Sequence, residues 1–496
     1  MKQISIASLM SDSGVGFGTS GARGLVAKMT DEVCYAYTCA FFQHLKQPKL
    51  SANSFQVAIA GDLRPSTQRI ILAVIKAAEA MQIEPVYCGL IPSPAVALYG
   101  IQHQMPSIMV TGSHIPDDRN GIKFNTALGE ITKDDEQEIR QQSVFLDEAL
   151  FDKQGMFVEQ YQLPAVNNQA ASEYHQRYTS FFGRDVLEDM TVGVYQHSGV
   201  ARDLLVSLLQ KLGAKIIPLG RSDSFVPVDT EAIRNEDIEL ARQWASEYDL
   251  DAIVSTDGDA DRPLISDEQG NWLRGDAVGS LCARFLGADY VVTPVSSNTA
   301  VDTSGWFTEV SRTRIGSPYV IEGMKNLEQA GHKKIVGYEA NGGFLQQDEI
   351  NLKGHVLSSL PTRDAVIVIL GLLVSAKQQA LKISSLVTQL PQRYTFSDRI
   401  KEIPTEKSKL LIAGLVNGNE EQRKIQIGDF FDRKFGEVDT INMTDGLRIT
   451  FSNKDIVHLR PSGNAPELRC YTESEDLVSA RDNNHVALEF VRQTLT

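Results

Sequence analysis

Short β-branched runs alternate with amphipathic stretches through most of this chain: residues 55–60 then 66–81, 107–110, 191–194 then 201–212, and 252–255. Apolar runs of this length are buried on both faces. When helix-length segments separate them, they pair in parallel as βαβ units. Near the C-terminus the pattern changes. Residues 438–443, 447–451, 455–459 and 468–472 read as four short strands close together, followed by a helix-like stretch at 479–495. Strands so closely spaced predict a small α+β domain with an antiparallel sheet. At 496 residues, and about 100 to 200 residues per domain, three to four domains are expected. The polar stretch 151–171 and the two-proline stretch 390–404 are the linker candidates. No exact internal repeat is visible.

Composition narrows the class. With 42% hydrophobic and 22% charged residues, the chain can bury large cores, which excludes global disorder and fibrous repeats. Lys+Arg 48 against Asp+Glu 63 leaves a net charge of −15. Such a surface repels polyanions, so nucleic acid is not an expected partner. The strongly apolar run 365–374 is too short to span a membrane and predicts a buried helix instead. The first residues carry no basic-then-apolar signal pattern. Cys34, Cys39, Cys88, Cys282 and Cys470 are odd in number and form no zinc spacing. The expectation is a cytoplasmic protein with free, buried thiols. No feature of the sequence sets an oligomeric state.

Four constellations carry chemistry. Thr111-Gly112-Ser113-His114-Ile115-Pro116 follows the run 107–110, so Ser113 would sit at a strand C-terminus, where open α/β sheets bind ligands. Its competing reading is a turn serine bonded to its own backbone. Hydrolase chemistry fits poorly, because the spacing is not G-x-S-x-G. A functional Ser113 is better read as a phosphate carrier, whose charge would need a cation and donors around it. Asp257-Gly258-Asp259-Ala260-Asp261-Arg262 follows the run 252–255. Its alternating carboxylates can converge on a hard cation, or can form a solvated acidic turn. An EF-hand ending at Glu268 is rejected, because Arg262 stands where the loop needs glycine and a strand precedes it. Mg²⁺ fits better and would leave sites for phosphate oxygen. Gly337-Tyr338-Glu339-Ala340-Asn341-Gly342-Gly343 could place Glu339 and Asn341 on vicinal sugar hydroxyls, or be a plain glycine-rich turn. Arg460-Pro461-Ser462-Gly463-Asn464-Ala465-Pro466-Glu467 could cradle a phosphate, or be a hairpin turn. Together the four describe phosphoryl transfer to and from a sugar phosphate.

At these residues, and at Phe17-Gly18-Thr19-Ser20-Gly21-Ala22-Arg23-Gly24 and Gly61-Asp62-Leu63-Arg64-Pro65-Ser66, the chain resembles the α-D-phosphohexomutase superfamily, the phosphomannomutase and phosphoglucomutase enzymes. The motifs follow the family's order over essentially the whole chain. The resemblance implies an α/β fold of four domains around a central cleft. Three are related α/β domains with mixed, mainly parallel sheets, at 1–160 with the phosphoserine loop, 161–275 with the Mg²⁺ loop and 276–390 with the sugar loop. The fourth is a smaller α+β domain at 391–496 with the phosphate loop.

By the same resemblance Ser113 is the phosphoryl carrier, and Ser113, Asp257, Asp259 and Asp261 hold Mg²⁺ with Arg262 beside them. Glu339 and Asn341 read sugar hydroxyls, and Arg460, Ser462, Gly463 and Asn464 bind the phosphate not being transferred. Arg23, His114 and Lys123 match positions near the reacting oxygens, with Lys123 or Arg23 assisting proton transfer or charge stabilisation. The implied reaction passes a phosphoryl group between Ser113 and a hexose phosphate, with hexose 1,6-bisphosphate as intermediate and activator. The partner is thus a small sugar phosphate. Three loops depart from the pattern. Glu-x-Ser-Gly-His is common in the sugar loop, whereas Asn341 and Gly343 replace the serine and histidine here. Asn464-Ala465 replaces Thr-Glu or Thr-Thr, and Ile115 replaces asparagine. This set of variants resembles bacterial phosphomannomutases, with glucose or glucosamine phosphates as the rival substrates.

Overall fold

A computed structural model describes residues 2–18, 21–45, 55–462 and 466–495. Its first large sheet has the strand order Glu84–Leu90, Gln56–Gly61, Ser107–Val110, Arg119–Thr126, Gly21–Leu25, Gly16–Phe17. The first three strands are parallel, and Arg119–Thr126 returns antiparallel. A second sheet runs Lys215–Arg221, Thr191–His197, Ala252–Thr256, Pro263–Ile265, and a third runs Glu309–Thr313, Tyr290–Pro294, Ile335–Tyr338, Phe344–Gln346. Each again has three parallel strands and one antiparallel return. The chain therefore repeats one topology three times without repeating its letters. Strand order depends on apolar runs and crossover lengths, which many different residues satisfy. In each sheet the third parallel strand is buried from end to end, as two covered faces require.

The run 365–374 lies inside the helix Ala365–Gln379, in which every residue from Ala365 to Ala376 is buried. Asp364 caps this helix by accepting from the Val366 amide and also accepts from the hydroxyls of Tyr174 and Tyr178. No helix among the described residues is long and apolar enough to cross a membrane. All five cysteines are free and buried.

The C-terminal sheet is antiparallel, in the order Tyr394–Lys401, Glu467–Ser474, Ile456–Pro461, Leu447–Phe451, Val438–Asn442. Four of these strands were expected. The fifth, Tyr394–Lys401, falls inside the stretch 390–404 that the sequence marks as a linker, and the expectation is corrected there. Pro391 and Pro404 flank this strand and do not interrupt it. It pairs with only one neighbour and leaves most of its side chains at least partly exposed, so it lacks the apolar signature of a central strand. The stretch 151–171 has little regular structure, yet it adheres to the first domain. Phe151 and Phe157 pack on Tyr35, and the Phe157 amide donates to Asp31 Oδ2 at 2.9 Å.

Candidate active site

Three loops occupy one topological position. Residues 111–118, 257–262 and 339–343 each join the third parallel strand of a sheet to its antiparallel return. The C-terminal ends of parallel strands are where open α/β sheets place ligands, and here all three loops line one cavity of about 380 Å³ or pack against its wall. The C-terminal domain adds Arg460 and Arg469 to the same cavity.

Ser113 is held in a left-handed backbone conformation, φ 56°, which a non-glycine residue adopts only when its surroundings impose it. Its amide donates to Thr111 Oγ1 at 2.8 Å, and its carbonyl accepts from Arg64 Nη2 at 2.7 Å. The buried Arg64 also donates to the carbonyls of Ile115, Pro116 and Arg119, while Asp62 accepts from Arg64 Nε and from Thr111 Oγ1. Gly112 makes room for this clamp, since a Cβ there would lie 2.6 Å from Arg64 Cζ. The Gly61–Ser66 motif thus acts through Asp62 and Arg64, which fix the shape of the serine loop.

The aspartate loop reaches Ser113 from the second domain. Ser113 Oγ donates to Asp257 Oδ2 at 2.7 Å. Gly258 permits this approach, because a Cβ there would stand 2.6 Å from the Ser113 carbonyl oxygen. Ser93, at the start of the helix Ser93–Gln102, grips the same loop: its amide donates to the Asp259 carbonyl at 2.9 Å and its hydroxyl to Asp259 Oδ2 at 2.7 Å.

One oxygen from each of Asp257, Asp259 and Asp261 lies within 4.8 Å of the others, and all three residues are buried. Asp259 Oδ1 and Asp261 Oδ1 are buried with no hydrogen-bond partner. Burial, with Asp259 and Asp261 adding their charge, pushes Asp257 well above the usual carboxylate range. Burial also acts against Asp259, but Lys123 overcomes it and holds that carboxyl far down. Spare anionic oxygens beside an electrostatically disfavoured carboxylate are what a hard divalent cation would satisfy, so this donor set fits a metal. Glu268 takes no part. It accepts from Ser384 Oγ at 2.6 Å.

Cations close around the loop. Lys123 Nζ is 2.6 Å from Asp259 Oδ2 and 2.7 Å from Asp261 Oδ2. Burial opposes its charge, but the two carboxylates prevail and raise its pKa, so Lys123 is a fixed cation. Arg23 and Lys123 project from the same face of paired strands, where Gly121 faces Arg23 and Gly21 faces Lys123. Burial, then Arg262, lowers Arg23 to about 10. Among the described residues its guanidinium has no hydrogen-bond partner. Arg262 Nη1 donates to His114 Nδ1 at 2.8 Å, which places the proton of the neutral ring on Nε2. Burial and the Arg262 charge push His114 down to about 3. Its Nδ1 is also 3.3 Å from Ser113 Oγ.

The loop 339–343 turns on itself. The Glu339 amide donates to the Gly343 carbonyl at 3.0 Å, and Asn341 Oδ1 accepts from the Gly343 amide at 3.0 Å. Thr230 Oγ1 anchors the loop from the second domain by donating to the Asn341 carbonyl at 2.8 Å. Glu339 and Asn341 both line the cavity, although one lone pair of the Asn341 carbonyl is already used within the loop. In the C-terminal domain Arg460 Nε donates to Asp445 Oδ2 at 2.8 Å, and the third-domain Ile315 amide donates to the same oxygen at 3.0 Å. Ser462 is buried and its amide donates to the Glu467 carbonyl at 2.9 Å. Gly463 and Asn464 lie outside the described residues.

Sequence reasoning missed Ser93, Glu231, Arg363 and Arg469. Arg363 Nη2 lies 2.9 Å from Asp261 Oδ2, and its Nη1 lies 3.4 Å from Glu339 Oε2. The available signal was positional: Arg363 precedes Asp364, a helix-capping residue before an all-apolar run. The cavity wall carries Arg23, Lys123, Arg262, Arg363, Arg460 and Arg469 against Glu231 and Glu339. A chain of net charge −15 has therefore gathered cations where it would meet an anion.

Models of the phosphoglucomutase/phosphomannomutase α/β/α domains match this chain: domain I at residues 14–148, domain II at 173–270 and domain III at 274–394. A phosphomannomutase of Salmonella muenchen is 44% identical over 488 residues, covering 98% of each chain. A phosphomannomutase of Sinorhizobium fredii is 41% identical over 460 residues, covering 93% of this chain and 95% of the relative. The crystal structure of a putative phosphomannomutase from Thermus thermophilus superposes with a TM-score of 0.70 at 19% identity, covering 96% of this chain and 99% of that one. With three such domains followed by a further C-terminal one, the chain belongs to the phosphoglucomutase/phosphomannomutase family.

Proposed function

We propose that this protein is a phosphomannomutase that interconverts mannose 6-phosphate and mannose 1-phosphate through phospho-Ser113 and a hexose 1,6-bisphosphate. The observation that carries this reading is a single cavity with Ser113, bonded to the aspartate loop, on one wall and Arg460 with Arg469 on another. A mutase must hold two phosphates at once, one in transfer and one at rest. A hydrolase has no need of the second site.

In the forward direction the phosphorus–Oγ bond of phospho-Ser113 breaks and a bond from phosphorus to the free sugar hydroxyl oxygen forms. The electron pair of the broken bond stays on Ser113 Oγ, so the proton lost by the sugar hydroxyl is matched by one gained at Oγ. The bisphosphate then turns over in the cleft, and the other phosphoryl group returns to Ser113. Asp257, Asp259 and Asp261 would hold Mg²⁺ against the phosphoserine, where it supplies charge neutralisation to the transferring group. Lys123 and Arg23 stabilise charge on the same group, since both remain cationic at neutral pH. His114 offers its Nε2–H as a donor. Glu339 and Asn341 read the sugar hydroxyls, while Arg460, Ser462, Gly463 and Asn464 retain the resting phosphate. The free buried thiols support a cytoplasmic setting.

The test is Mg²⁺-dependent kcat/KM on mannose 1-phosphate, glucose 1-phosphate and glucosamine 1-phosphate, primed with a trace of hexose 1,6-bisphosphate. Preference for mannose 1-phosphate supports the assignment. Higher efficiency on either other sugar moves it to that substrate.

A further inference from the structure

The backbone at residue 343 does not require glycine. Gly342 has φ +87°, whereas Gly343 is absent from the positive-φ residues. The space above residue 343 is what requires it. A Cβ on Gly343 would stand 2.7 Å from Arg363 Cδ and 2.9 Å from Arg363 Cγ, closer than packed carbons approach. The stem of Arg363 thus crosses the bare backbone of the sugar loop and delivers its guanidinium between Asp261 Oδ2 and Glu339 Oε2, at 2.9 and 3.4 Å. Its base is fixed, because the next residue caps the buried helix Ala365–Gln379. Arg363 is 4% exposed, its Nε has no hydrogen-bond partner, and it lines the same cavity as Ser113 and Glu339.

A buried guanidinium that touches both the aspartate loop bonded to Ser113 and the sugar loop lines the cavity through which a sugar hydroxyl would approach Ser113. We propose that Arg363 is a catalytic residue of this mutase: it hydrogen-bonds the sugar oxygen that exchanges the phosphoryl group and stabilises the charge developing there. The inference rests on the phosphohexomutase reading above. Arg363 takes up no proton in this role, since a guanidinium stays charged across the working pH range, and its contribution is electrostatic and positional. Where the family pattern has a histidine, this chain keeps residue 343 bare and brings an arginine over it from the start of a helix.

Arg363→Ala in the full-length protein is expected to lower kcat by roughly 10² to 10³, with KM changed less than about threefold. Added guanidinium ion at millimolar concentration should recover at least about a tenth of the lost kcat, and sodium chloride at equal ionic strength should recover none. A side chain that serves only as a structural counter-charge would not give that rescue. Gly343→Ala leaves every proposed catalytic group in place and should lower kcat about tenfold or more by pushing the Arg363 stem aside, without lowering Tm by more than a few degrees. If Arg363→Ala fails to fold, Arg363→Lys and Gly343→Ala carry the test, and native kcat in both overturns the assignment. Folded Arg363→Ala with native kcat, or a loss that guanidinium does not rescue, likewise overturns it. Absence of turnover by the unsubstituted protein on any hexose phosphate overturns the mutase reading, and this assignment falls with it.

Discussion

The loops 257–262 and 339–343 hold the same position in two sheets of the same strand order. Each closes its ends through a backbone hydrogen bond, Asp257 amide to Arg262 carbonyl at 3.1 Å and Glu339 amide to Gly343 carbonyl at 3.0 Å, yet their side chains are committed differently. The first reaches outward. Its carboxylates meet Ser113, Ser93 and Lys123 of the first domain and Arg363 of the third, and Gly258 lets its backbone approach the serine. The second is closed on itself through Asn341 and Gly343 and is anchored at Thr230. Topology delivers both to the cleft. What each does there is set by the side chains that other domains bring to it. On the proposed function, the outward loop would organise phosphoryl transfer and the closed loop would present a shaped edge to the sugar.

That contrast can be broken by substitution. Asp259→Asn removes the negative charge that Lys123 and Ser93 share and should lower turnover by about 10² to 10³ while raising the Mg²⁺ concentration needed for half-maximal rate, read from a metal titration of kcat. Gly258→Ala adds a Cβ that would sit 2.6 Å from the Ser113 carbonyl oxygen. A shift of about 1 Å between the two loops should cost up to roughly 10² in kcat, measured beside an unchanged circular dichroism spectrum. Glu339→Gln, in the closed loop, should act on the sugar and not on the phosphoserine, changing kcat/KM about tenfold and altering the preference among hexose phosphates. Thr230→Val removes one hydrogen bond of about 1 kcal/mol and should raise KM about fivefold with kcat preserved. A larger kcat effect from Thr230→Val than from Gly258→Ala would dissolve the distinction between the loops.

The same contrast explains what the sequence revealed. Three aspartates in five residues cannot be buried without cations, so Asp257, Asp259 and Asp261 read either as a charge-binding loop or as a solvated acidic turn, and their burial against Lys123 and Arg363 excludes the solvated turn. Ser113 is readable because the apolar run before it places it at a strand end. Arg363 and Ser93 are not readable in this way: each sits at a helix start far along the chain from the loop it serves, and only tertiary packing brings them there. The strand Tyr394–Lys401 is not readable because its middle, Ser397-Asp398-Arg399, is polar and exposed and it lies between two prolines, so it has no apolar pattern to show. The threefold topology is likewise carried by strand order and not by matching letters.

The most direct measurement follows labelled phosphate through one turnover. Protein carrying ³²P on Ser113 is mixed with excess mannose 6-phosphate and Mg²⁺ and quenched over time. The account predicts that label leaves Ser113 and appears first in hexose 1,6-bisphosphate, then in mannose 1-phosphate, with little inorganic phosphate. Label retained on Ser113 in the presence of substrate, or released chiefly as inorganic phosphate, would contradict it.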